Sequence, residues 1–162
     1  MKLFSGVSVV LSLTLALPAV ATAPVFVVNP ITPSVISKGP GGCLFDVALI
    51  PQPGRPNKGE IIEFADGSEI FHGATFVTLT NVATSKSINL NISGPGRFSV
   101  TDNTFTFLGP ALVAGLPPNV LPPNLPSVFV AHGQLVQQFD SSGNIVSVSF
   151  TGEAENICDL LQ

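Results

Sequence analysis

Short runs of β-branched and aromatic residues, each closed by a turn sequence, restrict this chain to a small set of folds. Along residues 88–92 and 146–150, apolar residues alternate with Ser, Thr or Asn, which is the period of a strand with one buried face. No stretch keeps the period of about 3.6 residues that marks an amphipathic helix. Asp66-Gly67 separates two such runs and predicts a hairpin, because both residues tolerate positive φ.

The remaining turns predict an all-β domain of about nine or ten strands. Further hairpins are expected around residues 81–85, 101–103 and 140–143, since each turn separates two alternating runs. Such a meander must bury one face and protect its edges, so we predict a single antiparallel barrel, with a sandwich as the alternative. The intervening Ser, Thr and Asn are expected to face solvent, with a sugar- or ice-binding array as the alternative. The apolar positions expected in the core are Ile88, Leu90, Ile92, Phe105, Phe107, Val146, Val148 and Phe150.

The N-terminus has the pattern of a secretory signal peptide. Lys2 precedes an apolar run at residues 9–17, which Pro18 ends, and Ala19-Val20-Ala21 offers small residues for cleavage. The apolar run is too short to span a bilayer. We therefore predict a secreted, extracellular protein with a signal peptide at 1–21, an extended segment at 22–42 and a β-barrel domain at 43–162.

The two cysteines lie near opposite ends of the predicted domain. In an oxidising compartment an even pair most simply forms a bridge, so we predict a Cys43–Cys158 disulfide. Free thiols and an intermolecular bridge are the alternatives. A bridge at these positions encloses almost the whole domain.

Candidate catalytic groups are few. Glu60, Glu63 and Glu69 surround the first predicted hairpin, and Glu60 and Glu69 are expected to face each other across it. A carboxylate pair at a suitable separation hydrolyses glycosides, whereas charges at strand edges also serve to prevent edge pairing. His72 and His132 lack the recurrent spacing of metal ligands. No nucleophile, phosphate-loop or dinucleotide motif is found in the sequence. We predict no catalytic, cofactor-binding or metal-binding residues and keep a carboxylate hydrolase as an alternative.

Residues 109–127 interrupt the meander with prolines and aliphatic residues. A loop of this length in a compact domain is usually functional or disordered, and its aliphatic content argues against exposure to water. We predict a cover packed over one end of the barrel. The alternative is a lid or docking surface, in which case the domain carries a small hydrophobic ligand.

Charge and aromatic content narrow the class of partner. The formal net charge is −4, and Lys and Arg are scattered, so no footprint for nucleic acid or an anionic membrane is present. The chain has 12 Phe but neither Trp nor Tyr, which disfavours a lectin-like sugar platform. Asn91-Ile92-Ser93 is a glycosylation sequon on the predicted polar face. The expected partners are a small apolar ligand or an extracellular or cell-wall component.

Several turn and cysteine motifs together resemble a group of small, functionally uncharacterised secreted proteins of actinomycetes and filamentous fungi. The resemblance implies a β fold with paired cysteines and supplies no site residues. The leading hypothesis is therefore a secreted, non-enzymatic protein with a structural or interaction role. The motifs are Cys43-x-Phe45-Asp46-Val47, Phe64-Ala65-Asp66-Gly67, Val77-Thr78-Leu79-Thr80-Asn81, Ile92-Ser93-Gly94-Pro95-Gly96, Asp140-x-x-Gly143-Asn144 and Ile157-Cys158-Asp159-Leu160-Leu161.

Overall fold

In the part of the chain that the structure describes, ten strands form one curled antiparallel sheet, a half-barrel, followed by a single short helix. The computed structural model describes residues 25–28, 31–55 and 57–162, so the predicted signal peptide lies outside the described residues. The prediction of an all-β fold with nine or ten antiparallel strands is confirmed. The elements are β1 (Val25–Val28), β2 (Ser34–Ile36), β3 (Val47–Pro51), β4 (Asn57–Glu63), β5 (Glu69–Asn81), β6 (Ser87–Asn91), β7 (Gly96–Ser99), β8 (Thr104–Val113), β9 (Phe129–Phe139), β10 (Ile145–Asn156) and α1 (Ile157–Leu160).

Strand β5 divides the sheet into two branches. Its first half pairs with β4 and β7 and continues into a large branch of order β1-β4-β5-β7-β8-β9-β10. Its second half pairs with β3 and β6, and β2 extends this small branch beyond β3. The segment at 22–42 therefore contributes two strands to the sheet, β1 and β2.

Gly73 lies in β5 between the half that pairs with β7 and the half that pairs with β6. Its φ is +128°, and a Cβ there would lie 1.9 Å from the carbonyl oxygen of Lys58 on β4. Only glycine combines this backbone conformation with so close a strand. A single strand of 13 residues therefore runs through Gly73.

The small branch packs against the end of the large branch to form the first core. Its buried side chains come from β3 and β5 on one side and from β9 and the C-terminus on the other. These are Cys43, Val47, Leu49, Val77, Leu79, Val128, Val130, Ile157 and Leu161. The predicted core residues Ile88, Leu90 and Ile92 pack against this set.

The disulfide closes the first core. Cys43, before β3, bonds to Cys158 in α1, with a Cα–Cα distance of 5.4 Å and a separation of 115 residues. Asn156 caps α1, because its Oδ1 accepts a hydrogen bond from the Cys158 backbone N–H at 3.0 Å. The predicted pairing is confirmed. The bridge ties the small branch to the C-terminal end of β10.

The proline-rich segment covers the opposite face of β8–β10 and forms the second core with it. Leu116 is buried there, Leu121 and Leu125 are partly buried, and all three pack with residues such as Phe129 and Leu135. The segment is a cover, as predicted, but it lies on a sheet face rather than over a barrel end.

The N-terminal part of the 109–127 segment is regular structure, contrary to the prediction. Strand β8 continues to Val113 through Pro110, which is in register with His132 on β9. The carbonyl of Pro110 accepts the N–H of Gly94, so the missing Pro110 N–H points away from β9. No bond of the β8–β9 ladder is lost, which is why the proline is tolerated within the strand.

Two local features shape the β9–β10 hairpin. The ladder shifts register between Ile145 and Ser147, and this bulge leaves Val146 50% exposed instead of in the core as predicted. In the turn, the Asn144 side chain and the backbone N–H groups of Asn144 and Ser142 donate to the Asp140 carboxylate. These hydrogen bonds, that of the Asn144 side chain first, hold the pKa of Asp140 below its usual range.

Candidate functional site

The hairpin register separates the carboxylates that the sequence placed together. Glu60 faces His72, and Glu63 faces Glu69. The expected pairing of Glu60 with Glu69 is wrong, because residues 64–68 form the turn and fix Glu69 opposite Glu63. Positions 60 and 63 differ by an odd number in a strand and so lie on opposite faces. The structure therefore places Glu63 directly opposite Glu69 on one face of the hairpin and Glu60 on the other face.

Each histidine instead pairs with one glutamate on a neighbouring strand. His72 Nε2 lies 3.7 Å from Glu60 Oε2, and His132 Nε2 lies 3.7 Å from Glu155 Oε2. All four side chains are between 40% and 48% exposed, so these are surface pairs of small energetic value. Within the described part of the chain, no group of three His, Cys, Asp or Glu is placed to hold a metal ion.

The most distinctive surface is one face of the large branch. Residues that pair across neighbouring strands form two rows on this face, and many of them are phenylalanines. Side chains at partner positions of an antiparallel ladder share a face, so the rows define what we call the phenylalanine face. Its apolar members are Ile61, Phe71, Phe98, Phe105, Phe107, Leu135, Val148 and Phe150, and the same two rows also contain Glu63, Glu69, Gly96 and Gln137.

The rings on the phenylalanine face stack across the strands. The centroid of Phe105 lies 5.0 Å from that of Phe71 and 4.5 Å from that of Phe107. Gly96 makes room for this stack, since a Cβ there would lie 2.8 Å from the Phe105 ring. The contact distances are those of favourable tilted aromatic pairs, so the face is an ordered platform.

A second layer does not bury these rings within the described residues. Phe71, Phe98, Phe105, Phe107 and Phe150 all have intermediate exposure, whereas Phe129, at the second core, is fully buried. The opposite face of the same strands is mixed, with Arg97, Thr104 and Thr106 beside Ile62, Ile70 and Val136. The phenyl rings are therefore concentrated on one face of this part of the sheet, where they are partly exposed.

The borders of the phenylalanine face differ in chemistry. On one side, the proline-rich segment places Leu121 and Leu125 in the second core, against which Phe107 and Phe150 also pack. On the other side, Glu63 and Glu69 share the face, and Glu69 is in register with Phe98. Neither carboxylate forms an ion pair with a described residue. The face is therefore apolar at its centre and acidic at its β4–β5 end.

A shallow groove of about 540 Å³ opens beside this acidic end. Its lining is apolar at Phe64 and Ile70 and charged at Asp66, Glu69 and Arg97. The Asp66 carboxylate accepts the Ser68 backbone N–H at 2.9 Å, so it supports the turn.

No protein-family model, curated protein or solved structure matches the chain. None of the helices in the described residues is long and apolar enough to cross a membrane. The resemblance based on turn and cysteine motifs therefore stays a prediction.

The phenylalanines predicted to lie in the core include Phe107 and Phe150, which do pack against the second core, whereas the sequence assigned no face to Phe71 and Phe98. Phe105 and Phe107 do point to one side, as predicted, but that side is only partly covered. The sequence shows Phe71, Phe98 and Phe150 on three separate strands. Only the register between the strands shows that the three rings lie on one face.

Proposed function

We propose that this protein is a secreted, non-enzymatic interaction protein that binds an apolar partner through its phenylalanine face. The observation that carries the proposal is the row of partly exposed, mutually stacked phenyl rings on a single-layer sheet. The rings are neither fully buried nor fully exposed, and apolar surface that a protein leaves partly uncovered often serves in binding. The disulfide and the predicted signal peptide support secretion.

An open face suits a partner that lies flat on it better than a ligand enclosed in a lumen. The sheet is a half-barrel, and the proline-rich segment packs on β8–β10 instead of spanning an opening. If the partner is a small apolar ligand, we propose that it binds against the phenyl rings beside Leu121 and Leu125, and not inside a barrel as the sequence predicted. The carboxylate hydrolase is kept only as an alternative that uses Glu63 and Glu69, which face each other across the hairpin, without Glu60, which lies on the opposite face.

The test compares substitutions on the two faces of β7. Phe98→Ser removes a ring from the phenylalanine face, whereas Arg97→Gln alters the neighbouring residue on the opposite face. We expect the wild type and Arg97→Gln to enhance the fluorescence of the neutral apolar dye Nile red equally. Phe98→Ser should bind the dye several-fold more weakly while keeping the circular dichroism spectrum of the wild type.

Native mass spectrometry of secreted protein provides a second test. A co-purifying apolar molecule that is lost in Phe98→Ser would identify a small ligand, and its absence would point to a macromolecular partner. Equal dye binding by both variants would refute the assignment of the face. Reproducible turnover of a polymer or ester by the wild type would refute the non-enzymatic role.

A further inference from the structure

Phe76 lies on the outer face of the small branch, away from the first core. On β5 and β6 that face has cross-strand hydrogen bonds from Thr78 to Asn89 at 2.7 Å and between Thr80 and Ser87 at 2.8 Å, whereas on β2 and β3 it carries the exposed apolar residues Val35 and Ile50. The next pair along β5 and β6 is Phe76 and Asn91. Phe76 is therefore a large apolar ring directly across from the asparagine of the sequon.

The sequon is held in one defined conformation. Asn91 Oδ1 accepts hydrogen bonds from the Ser93 backbone N–H at 3.1 Å and from the Ser93 hydroxyl at 2.5 Å. The same hydroxyl accepts the backbone N–H of Thr75 at 2.8 Å, which anchors the sequon to β5. Because a backbone N–H can only donate, the atom that it meets on Asn91 is the oxygen, which leaves Nδ2 as the other terminal atom.

The Nδ2 atom is available for modification. Asn91 is exposed, and its Nδ2 makes no hydrogen bond with a described residue. A substituent on Nδ2 therefore displaces none of the native contacts of Oδ1. Directly opposed residues in an antiparallel pair have Cβ atoms about 4.5–5.5 Å apart, so the first sugar on Asn91 lies within reach of the Phe76 ring.

We propose that Asn91 carries an N-linked glycan and that Phe76 is the platform on which its first sugar stacks. In the attachment, Nδ2 attacks the anomeric carbon of a lipid-linked sugar diphosphate. The C1–Nδ2 bond forms, the C1–O bond to the diphosphate breaks, and Nδ2 loses one proton. The apolar C–H face of the sugar then covers the partly exposed ring, while its hydroxyls stay in water.

Arg55 supports this role for the ring. Arg55 lies in the loop between β3 and β4, and its guanidinium carbon is 5.1 Å from the centroid of the Phe76 ring. This cation–π contact holds the ring at the surface. The glycan approaches from β6, on the other side of Phe76. The site lies in the small branch and is independent of the phenylalanine face.

The experiment uses the full chain secreted from a eukaryotic host. An endoglycosidase that leaves one N-acetylglucosamine gives the one-sugar form, and an amidase that converts Asn91 to Asp gives the sugar-free form with an oxygen still at Oδ1. Melting temperatures of both forms are compared in the wild type, in Phe76→Ala and in Phe64→Ala. The last variant makes the same change at a distant exposed phenylalanine.

The single sugar should raise the melting temperature of the wild type and of Phe64→Ala by about 2–4 °C, and that of Phe76→Ala by less than about 1 °C. Nuclear magnetic resonance on the folded one-sugar wild type gives a readout that needs no variant, because protons of a stacked sugar shift upfield over the ring. An unmodified Asn91, an equal gain in all three proteins or unshifted sugar protons would overturn the proposal.

Discussion

Loss of the Cys43–Cys158 bridge should lower the free energy of unfolding, mainly because the unfolded chain gains conformational entropy. The bridge joins residues separated by 115 positions. The loop-entropy relation gives about 4.8 kcal/mol for a loop of this length at 25 °C. In the native state Cys43 is 3% exposed within the first core and Cys158 belongs to α1. The C-terminal helix should stay docked without the bridge, because Ile157 and Leu161 are buried in the first core and Asn81 Nδ2 donates to the Leu161 carbonyl at 3.0 Å.

A destabilisation of this size corresponds to a fall in the melting temperature of roughly 10–20 °C for a domain of about 150 residues. Because small domains are stable by about 5–15 kcal/mol, the protein should remain folded at low temperature without the bridge. The assay is thermal unfolding followed by circular dichroism, with and without reductant. The double variant Cys43→Ala/Cys158→Ala is the control, since reductant cannot change its midpoint.

The outcome depends on two measurements. Thiol titration of the unfolded, unreduced wild type should detect no free thiol, and the reduced wild type should melt close to the double variant. A wild-type midpoint that reductant leaves unchanged would refute the stabilising role of the bridge. Two free thiols in secreted material would refute its existence.

Three further substitutions or titrations test the packing and the turns. Gly96→Ala should destabilise the protein by about 1–3 kcal/mol in urea unfolding, because the new methyl group collides with the Phe105 ring; a neutral effect would contradict the stacked arrangement. Leu79→Ala should cost about 2–5 kcal/mol, since Leu79 is fully buried, whereas Val82→Ala, at 56% exposure, should stay within about 0.5 kcal/mol. Nuclear magnetic resonance should show that the pKa of the Asp140 carboxyl is lower than that of an ordinary aspartate. The stability that Asp140 contributes is present at neutral pH and should be lost as pH falls through this lowered pKa. An ordinary pKa would show that the turn hydrogen bonds do not form in solution.

Local turn chemistry in the sequence predicted much of this fold. Asp66-Gly67 turns between β4 and β5 as expected, because Gly67 adopts a positive φ of 82°. Asp140 organises the β9–β10 turn through its own hydrogen bonds. The disulfide followed from the even cysteine count and the predicted compartment. Each of these features depends on a few neighbouring residues or on a simple pairing rule.

Features that depend on long-range register were beyond the sequence. Gly73 resembled a break between strands, and its role appears only when β4 lies beside it. Pro110 resembled a loop residue, and it fits in β8 because Gly94 lies on the side where its N–H is missing. The exposure of Val146 results from a bulge that the alternating pattern does not encode. In all three cases the partner strand decides the outcome.

The parts of the sheet assigned to stability and to binding overlap at Phe107, Leu135, Val148 and Phe150, which belong to both the second core and the phenylalanine face. The first core, the disulfide and the small branch bury side chains on one face of β8–β10, and the proline-rich segment buries the other. Strand β9 is consequently covered on both faces at its N-terminal end, where Val130 and Ala131 are both buried. The strands beyond this doubly covered region need only maintain their ladder hydrogen bonds and stacked rings. An apolar face can therefore stay partly open on β7 and the adjoining strands without the fold depending on what covers it.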